Sequence, residues 1–229
     1  MQSKESTGLA VDASSDSGQG GDTMTDRAYR QIEEAIITLR LRPGQVLSET
    51  QLADSLDMGR TPVREALQRL AREGMITVLP RRGALVSEIN LSRQLMLLEL
   101  RREIERLCAR KAAQRAAPEE REAFSALADQ LAKAASERDD AAFMRLDLQF
   151  NQMLLAASRN EFAERAMHRI QGLSRRFWFQ HYRESLDLEK CAMLHSKVAR
   201  AIASGDGDKA AAASDDLIDY IVEFTRSTI

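Results

Sequence analysis

From Thr25 the apolar residues Ala28, Ile32, Ala35, Ile36 and Leu39 recur every three or four positions, which predicts a helix with one buried face; Pro43-Gly44 closes the run with a turn. Ser48 stands three residues before Gln51 as in a capping box, and Leu47 and Leu52 are spaced as a hydrophobic staple. A second helix therefore starts at Ser48, carries Leu52, Ala53 and Leu56 inward, and ends near Asp57. After Met58-Gly59-Arg60, Thr61 is placed as N-cap with Pro62 at the first helical position, and Val63, Ala66, Leu67 and Leu70 form the buried stripe of a third helix closing at Gly74. Ile76 to Leu79 and Ala84 to Val86 are short apolar runs around Pro80-Arg81-Arg82-Gly83, the pattern of a β-hairpin with a basic tip. Residues 24–88 thus read as helix, helix-turn-helix and hairpin wing.

Beyond Asn90 no strand signal follows. Ala-rich amphipathic segments at 92–116, 118–136, 140–157, 161–183, 188–204 and 208–226 are separated by Pro118, Asp139, Ser158-Arg159-Asn160, Ser185 to Asp187 and Gly205-Asp206-Gly207, each supplying a cap or turn residue. Residues 91–229 therefore form a second, all-helical unit. Residues 1–23, dominated by Ser, Gly, Asp, Gln and Thr, read as a disordered tail. The fold class is mainly α, a winged helix-turn-helix followed by a helical bundle.

Composition agrees with this class. The 229 residues are 44% hydrophobic, 30% charged and only 5% aromatic, a helical rather than sandwich profile. Cys108 and Cys191 stand in no metal-finger spacing, so they read as buried small hydrophobes in a reducing cytoplasm. No apolar stretch is long enough to cross a membrane.

The net charge of -2 conceals a local patch: within 58–84, Arg60, Arg64, Arg69, Arg72, Arg81 and Arg82 face only Glu65 and Glu73, a surplus of four positive charges. In a helix-turn-helix the second helix enters the major groove by its N-terminal end, where Arg60, Thr61 and Arg64 stand. Arginine suits both tasks there, binding guanine bidentately and neutralising phosphate. A wing tip of Arg81, Arg82 and Gly83 reaches the adjacent backbone or minor groove, with Gly83 permitting close approach.

At this point a resemblance becomes specific. The stretch LRLRPGQVLSETQLADSLDMGRTPVREALQRLAREGMITVLPRRGALV, Leu39 to Val86, resembles the winged helix-turn-helix of the GntR family of bacterial transcription regulators. The resemblance implies DNA contacts from Arg60, Thr61, Arg64 and the wing at Gly83. Thr50 departs from it, standing where the family commonly has a DNA-touching Arg, and Gly59 stands where a Ser is usual, so the preferred operator differs from the commonest family pattern.

LLELRREIERLCARKAA (97–113), DLQFNQMLLAASRN (147–160) and LHSKVARAIASGD (194–206) are similar to the effector domain of the FadR-like (FCD) branch. That resemblance implies a bundle cavity for a small organic acid, often bound through a divalent metal such as Zn or Ni held by one Asp and three His. Carried over, the Asp is Asp147 and one His is His195; Asn151 and Leu217 occupy the other two positions. Asp147 and Asn151, four apart, share one helix face. His181 is a possible third donor. The residues leave three readings: a metal site on Asp147 and His195, a metal-free polar pocket, or ordinary buried hydrogen bonding. His168 reads as a surface residue.

Arg101, within Glu99-x-Arg-x-x-x-Glu105, and Arg175 with Arg176 are candidates for clamping a carboxylate, because a guanidinium binds it bidentately. Phe177, Trp178, Phe179 and Tyr182 read as core or dimer packing. The expectation is a dimeric, cytoplasmic regulator, a repressor, that binds a pseudo-palindromic double-stranded operator and senses a small carboxylic acid through Arg101, Asp147, Asn151, Arg175 and His195. The rivals are a helical-bundle metalloenzyme using Asp147 and His195, which no HExxH, GxSxG, P-loop or GxGxxG motif supports, and a DNA-bound regulator without ligand.

Overall fold

The computed structural model describes residues 23–185 and 188–228, apart from the side chains of 140 and 182–185. Residues 1–22 of the tail expected over 1–23, residues 186–187 of the expected break and the Tyr182 side chain lie outside the described residues, whereas Thr23 is the N-cap of the first helix.

Helix α1 (Met24–Ile37) starts one residue earlier than the periodicity marks, because Thr23 and Asp26 form a capping box. Ala28, Tyr29, Ile32, Ile36 and Ile37 are its buried face. Leu39 does not extend that stripe: it lies past the C-cap Thr38 in left-handed backbone (φ 59°).

Strand β1 (Val46–Leu47) leads into α2 (Glu49–Leu56), whose N-cap Ser48 accepts from the Gln51 N–H. The left-handed Asp57 ends α2 and turns the chain into α3 (Arg60–Arg72). Its N-cap is Gly59, with no side-chain cap, so Thr61 and Pro62 fall at the second and third helical positions rather than at cap and first. Pro62 is tolerated there because the amides of a first turn have no intrahelical partner.

Strands β2 (Ile76–Leu79) and β3 (Gly83–Val86) form the expected hairpin, and the sheet order is β1-β3-β2, antiparallel throughout. Two-residue β1 is too short to leave an alternating signal. Gly83 has φ +96°, and a Cβ there would lie 2.2 Å from the Leu47 carbonyl oxygen. The close approach that requires glycine is therefore to β1 within the wing itself. Ile32, Ile36, Val63, Leu70, Met75 and Val86 are among the residues of this unit's core.

Helices α4 (Leu91–Arg115), α5 (Pro118–Glu137), α6 (Asp140–Ser158), α7 (Glu161–Ser185), α8 (Leu188–Ala203) and α9 (Gly207–Ser227) build a bundle around a second core that includes Leu98, Phe124, Leu131, Phe150, Leu154, Ile202 and Leu217. Asn90, Asp139 and Asp206 cap α4, α6 and α9 through their side chains. Cys108 and Cys191 are free and buried, and burial pushes the Cys108 thiol up to about 11.

Helix α7 ties the two cores together. Leu173 packs against the winged core, and the buried Arg176 donates to the carbonyls of Ser87 (2.8 Å) and Glu88 (3.1 Å) in the connecting segment. Arg176 is thus not a ligand clamp, because its fork is spent on the junction.

Candidate functional site

The exposed face of α3 carries Arg60, Thr61, Arg64, Glu65 and Gln68, opposite the buried stripe of Val63, Ala66, Leu67 and Leu70. Thr50 on the first turn of α2 and the wing residues Arg81 and Arg82 are exposed as well. Arg64 Nε donates to Glu49 Oε2 at 3.1 Å, a partner sequence reasoning missed. With the two side chains 55% and 29% exposed, this pair is worth about 0–1 kcal/mol, so Glu49 holds the guanidinium only weakly. Arg69, counted in the basic patch, points elsewhere: its guanidinium lies over the Tyr29 ring, 3.7 Å from the centroid, and pairs with Asp26 and Glu73.

A second site is a cavity of about 560 Å³ between the bundle and α1. Arg101, Asp147, Asn151, Arg175 and His195 all line it, so the five candidate effector residues, drawn from four helices, converge. Phe143, Trp178 and Phe179 supply aromatic wall. Arg101 is fixed by Glu105 (Nε to Oε1, 2.6 Å) and by the Ser174 hydroxyl (2.5 Å), which also accepts from the Gln94 amide (3.3 Å).

His195 Nε2 lies 3.0 Å from Asp147 Oδ1, and His195 Nδ1 lies 2.9 Å from the Cys191 carbonyl oxygen. Both partners accept only, so both ring nitrogens carry hydrogen and the ring is an imidazolium. Burial alone would lower the imidazole pKa, but Cys191 and the hydrogen bond to Asp147 outweigh it and hold it well above the ordinary 6.5. Burial raises Asp147, and the His195 hydrogen bond and charge, with Arg101 and Arg175 behind them, bring it below 3.8. Phe143 and Phe150 meet the His195 ring edge-on. Asn151 donates its amide to the Asp147 carbonyl (2.8 Å) and to Oδ1 (3.2 Å).

These residues do not fit a metal. Asn151 is a weak amide donor bonded to Asp147, and Leu217 is an aliphatic side chain buried in the core, so Asp147 and His195 alone remain of the four positions. His181 does not supply the missing donor: its ring packs tilted against Phe177, 4.7 Å between centroids, and it is not among the cavity residues. Among the described residues no group of three His, Cys, Asp or Glu is arranged to hold a metal ion. Of the aromatic run, Phe177 is buried while Trp178 and Phe179 face the cavity, with Trp178 against Phe143 (5.9 Å).

Sequence reasoning also missed the α1 side of the cavity, formed by Arg30, Glu33, Glu34, Ile37 and Thr38. A signal was present in Gly172, a glycine inside a helix, where a Cβ would lie 3.1 Å from Glu33 Oε1 and 3.4 Å from Met75 Cε.

A family model described as bacterial regulatory proteins, gntR family, matches residues 24–86, and an FCD domain model matches residues 96–220. An HTH-type transcriptional regulator in an unstable DNA locus of Streptomyces ambofaciens is 45% identical over 65 residues, 28% of this chain and 28% of that protein. A regulator in the TAR-I ttuE-ttuC' intergenic region of Agrobacterium vitis is 31% identical over 155 residues, covering 66% of this chain and 88% of that one. The chain therefore spans well under two thirds of the first relative and most of the second. The solved structure of E. coli McbR/YncC superposes with a TM-score of 0.75 at 18% identity, over 90% of this chain and 98% of that one, and shares the fold.

Proposed function

The chain belongs to the gntR family of bacterial regulatory proteins and carries an FCD domain, and from this premise we propose that it is a dimeric repressor whose operator affinity is set by a small organic acid in the bundle cavity. The observation that supports the effector reading is the cavity itself, where Arg101, held by Glu105, and Arg175 converge beside the His195–Asp147 pair, two guanidinium groups of the kind that bind a carboxylate bidentately.

Arg60, Thr61 and Arg64 read base edges, and Thr50, Arg81 and Arg82 hold the flanking phosphates. One winged module buries too little surface for specific affinity, whereas two related by a dyad read a pseudo-palindrome. Met96, Leu100 and Leu107, exposed along one face of α4, offer an apolar stripe for such pairing. Action on DNA places the protein in the cytoplasm, and no described helix is long and apolar enough to cross a membrane.

The cavity takes its ligand without a metal, since Asn151 and Leu217 leave only two strong donors, Asp147 and His195. The metalloenzyme alternative is set aside on the same ground and on the family's regulatory role. A thermal-shift screen of carboxylic acids on EDTA-treated protein tests the reading, because a ligand that binds only the native state raises stability by RT ln(1 + [L]/Kd).

A further inference from the structure

Helix α1 belongs to the winged core, yet its outward face closes the cavity opposite Arg101, Asp147 and Arg175. An occupant that fills the cavity touches both units at once. Glu33 on that face also reaches inward. Its Oε1 lies 3.0 Å from the Tyr29 hydroxyl, and the same hydroxyl lies 2.7 Å from Oε2 of Glu73, the C-cap of α3. The other Glu73 oxygen accepts from Arg69 Nε at 3.4 Å, and Arg69 stands on α3 over the Tyr29 ring.

One phenolic hydrogen serves one carboxylate at a time. The Tyr29 hydroxyl therefore donates either to Glu73 at 2.7 Å or to Glu33 at 3.0 Å. Burial raises the Glu33 carboxyl from its ordinary value, the Tyr29 hydrogen bond works against that, and the Glu73 charge adds to it. Arg175, from the bundle side, favours its ionised form. The Tyr29 hydroxyl is thus an element with two arrangements, biased from the cavity on one side and from α3 on the other.

We propose that the cavity occupant is read directly by the DNA-binding unit, with Glu33 as its contact on α1 and the Tyr29 hydroxyl bridge to Glu73 as the route by which occupancy reaches α3. The proposal rests on the effector reading above. An acid seated on Arg175 withdraws that arginine from Glu33, and an occupant that also donates a hydrogen bond to Glu33 draws its carboxyl away from Tyr29. Either way the α1 to α3 contact changes without any signal passing through the connecting segment.

The test uses full-length protein and a duplex it selects from a random pool. Affinity for that duplex is measured with and without lactate, succinate, citrate, 4-hydroxybutyrate and 4-aminobutyrate, in wild type, Tyr29→Phe and Glu33→Gln. An acid that shifts wild-type affinity by about fivefold or more should shift Tyr29→Phe by less than about twofold, while calorimetry shows that acid still bound by the variant. Glu33→Gln should weaken acid binding to the DNA-free protein by about fivefold or more. A Tyr29→Phe response equal to wild type overturns the route and leaves the effector reading standing. Unchanged acid binding by Glu33→Gln overturns the contact. If none of the acids alters wild-type affinity, both the effector reading and this inference fall. Glu73→Gln, judged by the same criterion, replaces Tyr29→Phe if that variant does not fold.

Discussion

His195 and Asp147 form an ion pair at 3.0 Å inside the bundle, with the second nitrogen of the same ring bonded to the Cys191 carbonyl at 2.9 Å. The pair stands where the family resemblance calls for a metal centre and supplies a different electrostatics: a cation and an anion that cancel, beside Arg175 and an Arg101 that is paired with Glu105. Removing one partner of a buried pair leaves the other uncompensated, at a cost of several kcal/mol.

His195→Gln should therefore cost about 3 kcal/mol near pH 6. Because the folded His195 pKa lies above 6.5, its contribution is complete below that value and is lost as pH rises through the raised one. Asp147, lowered from 3.8, contributes fully above 3.8 and loses its part as pH falls through the folded value. Melting temperatures of wild type and variant should differ most between about pH 4 and 6.5 and converge at higher pH. A gap that widens with rising pH contradicts the imidazolium assignment.

Arg60→Ala and Arg64→Ala should each lose about 1–3 kcal/mol of affinity for the selected duplex and relax base preference at their contacts. Anisotropy titrations on cognate and scrambled duplexes check this. Equal losses on both reduce these residues to phosphate contacts.

Arg82→Ala should weaken all sequences alike and lower the slope of log affinity against log salt by about 1, as loss of one phosphate contact does. An unchanged slope removes the wing from the interface.

Gly83→Ala tests the wing's internal geometry. A Cβ 2.2 Å from the Leu47 oxygen at φ +96° forces β1 and β3 apart. Roughly 2–3 kcal/mol of destabilisation is expected, read as lost thermal stability. A neutral substitution shows that Gly83 serves DNA approach alone.

Most of the architecture was legible because each boundary carries local chemistry. Ser48, Asp139 and Asp206 are side-chain caps, Gly74 has positive φ beyond α3, and the hairpin strands begin and end within a residue of the apolar runs. The α3 start was misplaced because Thr61 has the composition of a cap while the backbone of Gly59 takes that position. Within the cavity, Asp147, Asn151 and His195 were placed by resemblance, but their mutual hydrogen bonds follow from how α6 and α8 pack, which no periodicity encodes. The same holds for Glu33: a carboxylate on the polar face of α1 reads as solvated until α7, thinned at Gly172, is laid against it.

The measurement that bears most directly on the account is the affinity of EDTA-treated, full-length protein for its selected duplex across a series of small carboxylic acids. At least one acid should change Kd by about fivefold or more with no metal added, and Arg101→Ala should abolish that change while sparing acid-free DNA binding. An affinity that responds to acids only after zinc or nickel is restored, or to none at all, contradicts it.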